Sequence, residues 1–165
     1  MELVRLDLSD TGIATQLLTL QRRAYEVEAG LVGSNDIPPL RETLKELQSC
    51  GETFLGALVE GRVVGAISWR LLGETLDLHR LVVDPPHFRR RIGVTLVRAA
   101  LAAEPSASRA IVQTGADNEP AKTLYLREGF EQTDEVEIVP GLRVARFSKR
   151  LRGSCSQRTV ADAGA

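Results

Sequence analysis

Residues 78–96 read LHRLVVDPPHFRRRIGVTL. Leu78 to Val83, apolar but for His79 and Arg80, reads as the end of a strand. Asp84-Pro85-Pro86 stops it, because proline cannot donate to a ladder. The period then changes. From Arg89 to Ala103 the apolar residues Ile92, Leu96, Val97, Ala100 and Leu101 recur on one helical face. A strand running through a proline turn into a helix is one half of a crossover unit. At its junction stand Arg89, Arg90 and Arg91. A helix start has unpaired N–H groups and the positive end of the dipole, so it suits an anion. Guanidinium matches phosphate geometry.

Working outward, the region before this unit is rich in strands. Thr53–Val59 and Arg62–Leu71 flank Glu60-Gly61, a hairpin signal. Gly73-Glu74 leads into Thr75–Val83, so three strands form an antiparallel meander. Upstream lie a short strand, Glu2–Asp7, and a helix capped by Ser9 or Asp10 that ends near Gly30. A Gly/Pro loop follows, and then a helix over Leu40–Gln48, in which Glu42 and Lys45 are spaced as an ion pair. Downstream come a strand over Ser108–Gln113, a helix over Pro120–Arg127 ended by Gly129, and strands over Val136–Pro140 and Leu142–Lys149. Trp69 reads as core. The polar residues 152–165 read as a flexible tail after one domain spanning residues 1–151.

The whole chain has 165 residues, 21 Lys+Arg against 22 Asp+Glu, and a formal net charge of −1. That balance disfavours a nucleic-acid binder, and the arginine triplet has no interleaved aromatics. No apolar run reaches membrane-span length, and MELVRLDLSD has no apolar leader, so no membrane and a cytoplasmic location are expected. Cys50, Cys155, His79 and His87 lack the spacing of a metal site.

Two stretches resemble motifs of the GNAT N-acetyltransferase family. Residues 88–93 align with the Q/R-x-x-G-x-G/A loop, with Phe88 at the first position, Arg91 at the first glycine position and Gly93 at the second. Thr114–Phe130 resembles N-x-x-A-x-x-x-Y-x-x-x-G-F through Asn118, Ala121, Tyr125, Gly129 and Phe130. The resemblance covers roughly Thr53–Leu151. It implies an α/β (α+β) fold: a mixed, mainly antiparallel sheet of six or seven strands with helices on both faces.

The resemblance also implies acetyl-CoA as cofactor. Leu81, Val82 and Val83 would face its pantetheine. Arg89, Arg90, Arg91, Ile92, Gly93, Val94 and Thr95 would cradle its phosphates, with Asn118 and Ala121 beside it. Arg91 would have to turn its side chain from the ligand, and the triplet would supply attraction that a glycine loop lacks. Tyr125 would protonate the departing thiolate, since its reference pKa of about 10 exceeds that of a thiol. Asp77 and His79, two apart on one strand face, are candidates for the base. Tyr25, Glu28 and Ile37 are candidates for the pocket of a small-molecule or peptide amine. A homodimer is compatible with the resemblance. The alternative from another class is a non-catalytic acyl-CoA-binding or regulatory module on the same fold.

Overall fold

The computed structural model describes residues 1–32 and 42–151. Seven strands form one sheet in the order β1-β2-β3-β4-β5-β7-β6. They are β1 (Glu2–Arg5), β2 (Thr53–Val59), β3 (Arg62–Leu72), β4 (Thr75–Val83), β5 (Arg109–Gly115), β6 (Glu131–Val139) and β7 (Leu142–Arg150). Every neighbour pair is antiparallel except β4 with β5. The helices are α1 (Thr11–Val32), α2 (Leu44–Gln48), α3 (Ile92–Ala103) and α4 (Glu119–Arg127). The expected mixed, mainly antiparallel sheet with helices on both faces is therefore observed.

Strand alternation divides the buried side chains into two layers. On one face, Ile67, Trp69, Leu76, Leu78, Val112 and Phe147 pack beneath α3 and α4 with Leu96, Val97 and Tyr125. On the other, Phe54, Val63, Ala66 and Val82 pack beneath α1 and α2 with Leu17, Leu18 and Leu47. β3 lies at the centre and is buried without a break from Val63 to Trp69. Trp69 is 1% exposed, and its indole N–H donates to Glu104 at 3.2 Å. A Cβ built on Gly65 of β3 would lie 2.9 Å from Ile92 Cγ2. The absence of a side chain there lets the first turn of α3 rest on the sheet.

Element ends follow local chemistry. Asp10 caps α1, its carboxylate accepting from the amides of Gly12 at 2.9 Å and Ile13 at 3.3 Å. α2 begins at Leu44, four residues later than expected, because Thr43 and Glu46 form a reciprocal capping box. Glu42 therefore precedes that helix, and it pairs with Arg80 instead of the expected Lys45. α4 closes on Gly129, at φ +90°, with the Phe130 amide donating to the Tyr125 carbonyl at 2.9 Å. The tail, residues 152–165, lies outside the described residues.

Two further expectations need correction. The helix expected from Arg89 starts at Ile92, because Arg89 and Arg91 both take positive φ, +66° and +62°. β6 starts at Glu131, earlier than the expected Val136. Its first half, Glu131–Glu135, is exposed throughout, so no apolar alternation marks it. Pairing with β7 holds it in place.

Candidate active site

β4 and β5 pair over three positions only: Thr75 with Arg109, Leu76 with Ala110 and Asp77 with Ile111. Beyond them the strands separate. From Leu78 to Val83 the β5-facing edge of β4 has no ladder partner, and neither has the facing edge of β5 from Val112 to Gly115. Backbone donors and acceptors are thus left open inside a sheet, where such groups are normally paired.

The fork opens beside the start of α3. Arg91 is the helix N-cap and occupies the left-handed region, at φ +62°. This is the backbone shape that a glycine takes cheaply and an arginine at a cost of about 1–2 kcal/mol. The loop thus keeps the glycine-like conformation despite its side chain. Thr95 closes the first turn, its amide and hydroxyl both donating to the Arg91 carbonyl, at 3.0 and 2.8 Å. The amides of Ile92, Gly93 and Val94 have no acceptor within the helix. Arg89, Arg90 and Arg91 are all exposed. The nearby Asp84 is held by Arg23 of α1 at 3.2 Å. A Cβ on Gly93 would come within 3.1 Å of Leu124 Cδ1 and 3.9 Å of Leu81 Cδ2, so α3, α4 and β4 converge there. A loop of this shape and charge suits an extended anion.

α4 flanks the same opening. The Asn118 side-chain oxygen caps α4, accepting from the Ala121 amide at 3.3 Å. Tyr125 is 4% exposed, with its ring 5.6 Å from Phe130 and 5.7 Å from Phe147 between centroids.

On the opposite face a cleft of about 610 Å³ adjoins the point where the strands part. Its lining includes Asp77, His79, Ile111, Gln113, Arg146 and Phe147. β4 carries a bulge here. Trp69 faces Leu78 and Ser68 faces Arg80, so His79 is the extra residue. The bulge turns His79 and Arg80 to the same side of the sheet as Asp77. The His79 Nε2 lies 3.0 Å from Asp77 Oδ2, and its Nδ1 lies 3.7 Å from Glu52 Oε2. The structure thus brings Asp77 and His79 together, as the spacing suggests. Tyr125 lies on the other face, and Phe147 bridges the two by lining the cleft and meeting the Tyr125 ring.

Behind His79 lies a half-buried network that spacing did not reveal. Arg80 donates to Glu52 at 2.9 and 3.0 Å, to Gln21 at 2.7 Å, and to both oxygens of Glu42, one at 2.9 Å. Ser68 adds a hydrogen bond to Glu52 at 2.6 Å. Burial pushes both acids up, but hydrogen bonds from Arg80, with Gln21 on Glu42 and Ser68 on Glu52, hold each below the usual carboxylate range. Burial likewise works against the Arg80 charge, and its bonds to Glu42 and Glu52 more than offset that, keeping it firmly protonated. The partners come from α1, the segments just before α2 and β2, and β3, up to 59 residues away. The single sequence signal is a charge placed inside the apolar strand TLDLHRLVV.

The remaining candidates fall as follows. Val82 is 2% exposed, with its side chain in the layer beneath α1. Leu81 and Val83 pack on the α3 side. Tyr25, itself on α1, is 8% exposed and packs with Leu17 and Leu47. Glu28 falls within α1, and Ile37 lies outside the described residues.

A forked sheet with a helix start at the mouth, flanked by a second helix bearing tyrosine, defines an acyl-transferase type of fold. Residues 14–130 match the Acetyltransferase (GNAT) family. The chain belongs to that family. It is 33% identical over 138 residues to UPF0157 protein YqkA of Bacillus subtilis (strain 168), covering 84% of this chain and 40% of that protein. The chain therefore spans less than half the length of this relative. Among solved structures it resembles the paiA N-acetyltransferase of Thermoplasma acidophilum in complex with coenzyme A. That likeness has a TM-score of 0.73 at 17% identity and covers 91% of this chain and 98% of the other. It also resembles an aminoglycoside 6'-N-acetyltransferase complexed with coenzyme A. Here the TM-score is 0.72 at 16% identity, over 91% and 97% of the two chains. At these identities the likeness establishes the fold.

Proposed function

We propose that this chain transfers the acetyl group of acetyl-CoA to a primary amine. The observation that carries the reading is the open edge of β4 beside a helix start of glycine-like backbone and triple positive charge. The residues present fit the cofactor. The β4 edge at Leu81, Val82 and Val83 can hydrogen-bond an extended amide chain such as pantetheine, with Val82 contributing backbone alone. The amides of Ile92, Gly93 and Val94 face a pyrophosphate, Thr95 closes their turn, and Arg89–Arg91 add attraction. Asn118, with its amide nitrogen free to donate while its oxygen caps α4, and Ala121 flank the pantetheine.

When bound, acetyl-CoA supplies an activated thioester. The chain's own residues then act from both sides of the sheet. On the cleft side, the Asp77–His79 pair accepts a proton from the incoming ammonium, leaving a nucleophilic amine. On the helix side, Tyr125 gives its phenolic proton to the departing sulfur. A nitrogen–carbon bond forms and a carbon–sulfur bond breaks. The nitrogen loses a second proton as the amide forms, and that proton offsets, by way of solvent, the one Tyr125 gave to the thiol. The fork holds the reactants in line, which removes much of the entropic barrier.

Calorimetric titration tests the reading. Micromolar binding of acetyl-CoA and CoA, but not ATP, is the expected result, followed by free-thiol release when amines are added. Absence of acetyl-CoA binding refutes it.

A further inference from the structure

The cleft beside the fork is charged in opposite senses at its two sides. Asp77 and His79 line it from β4. Arg109 lines it from β5 and Arg146 from β7, with Gln113, Thr133 and Ser148 between and around them. The registers place these groups on one face. Asp77 pairs with Ile111 and Ile111 with Ser148, while Gln113 pairs with Arg146. Their alternate neighbours Ala110, Val112, Ala145 and Phe147 are buried in the opposite layer. Among the described residues, α1 and α2 cover this face only as far as β4. Among the described residues, then, nothing covers the cleft beyond β4.

The cations are available. The Arg109 guanidinium has no carboxylate partner among the described residues. Among the described residues the Arg146 guanidinium meets one carboxylate, Asp134 at 3.8 Å, with both side chains about half exposed. Such a long, solvated pair yields readily to a better acceptor. Asp77 is the one carboxylate in the lining: Ile111, Gln113, Thr133 and Ser148 are neutral. Where β4 and β5 still pair, β4 and β7 are separated by that one strand, so their axes lie about 10 Å apart at Asp77. A molecule of amino-acid or dipeptide size spans that distance.

Building on the acetyl-transfer reading above, we propose that the acceptor is a primary amine carrying a carboxylate. Its ammonium sits against Asp77 and His79. Its carboxylate sits against the guanidinium groups of Arg146 and Arg109, which are suited to fork-like recognition. A cationic polyamine lacks the group that these arginines would hold, and it meets two like charges instead.

The test is free-thiol release at saturating acetyl-CoA with matched acceptors. Glutamate and 4-aminobutyrate are compared with the diamide of glutamate, with 4-aminobutyramide and with putrescine, and a peptide beginning with glutamate separates a chain end from a free amino acid. The carboxylate-bearing member of each pair is expected to have at least a tenfold higher kcat/KM. Arg146→Gln, with Arg109→Gln as a second variant, should raise KM for that member alone and leave the KM for acetyl-CoA unchanged. Both positions are exposed, so neither variant threatens folding. If putrescine or the carboxamides react equally well or better, the carboxylate assignment is overturned while acetyl transfer stands. If no acceptor reacts and acetyl-CoA does not bind, both are overturned.

Discussion

Replacing Arg80 by methionine removes the one cation that two half-buried carboxylates share. The Arg80, Glu42 and Glu52 side chains are 13%, 15% and 6% exposed. Loss of the guanidinium leaves Glu42 and Glu52 facing each other, with Gln21, Ser68, His79 and Cys50 beside them. Breaking a buried pair from one side costs about 3–5 kcal/mol, since an uncompensated charge remains. For a chain of this size that is a fall in Tm of roughly 6–20 °C. The pH dependence should change sign as well. In the parent, both acids are held below their ordinary value of 4.5. Their stabilisation is complete above that value and is lost as pH falls through the lower folded values. In Arg80→Met, burial without a cation raises the folded values above 4.5. The variant should then recover stability, relative to the parent, as pH falls from 7 towards 5. Urea unfolding between pH 4 and 8 measures both effects. A loss below about 1 kcal/mol at pH 7, or pH slopes that match, would refute the argument.

Three further predictions concern the site. Tyr125→Phe keeps the ring contacts with Phe130 and Phe147 but removes the acidic proton; kcat should fall about 100-fold or more with acetyl-CoA affinity unchanged, and intact turnover would favour another proton donor. If the parent itself binds acetyl-CoA without any turnover, the non-catalytic binding module is the better description. Arg91→Gly relieves a left-handed arginine, so stability should hold within about 1 kcal/mol, while acetyl-CoA affinity weakens several-fold and loses part of its salt dependence. Tighter binding by this variant would make Arg91 an impairment of the loop. Gly65→Ala drives a methyl to 2.9 Å from Ile92 Cγ2 and should cost about 1–3 kcal/mol in denaturant unfolding. Because Ile92 opens α3, acetyl-CoA affinity should drop with it; a neutral effect on both would show that the helix start shifts freely.

Much of this protein was legible in one dimension. The Glu60-Gly61 hairpin, the β4 strand, the stop at Pro85-Pro86 and the face of α3 all depend on neighbours within one or two turns of chain. Local periodicity and turn chemistry determine such features, so the sequence by itself specified the meander, the crossover and the loop with its arginines. The spacing of Asp77 and His79 on one face was also local, and it survives in the structure.

Other features required the folded chain. β6 was half missed because an exposed edge strand needs no apolar pattern, only a partner to pair with. The glycine-like turn at Arg91 was suggested by the motif resemblance alone, because arginine itself has no preference for that shape. The Arg80 network joins residues up to 59 positions apart, and no spacing rule reaches that far. The parting of β4 and β5 after Asp77 is likewise a relation between two strands more than thirty positions apart, and only their pairing register shows it. Residue types and short-range order were thus set by the sequence. The fork, the cleft and the pairing of buried charges were set by tertiary packing, because each is a relation between segments that meet only once the core has formed.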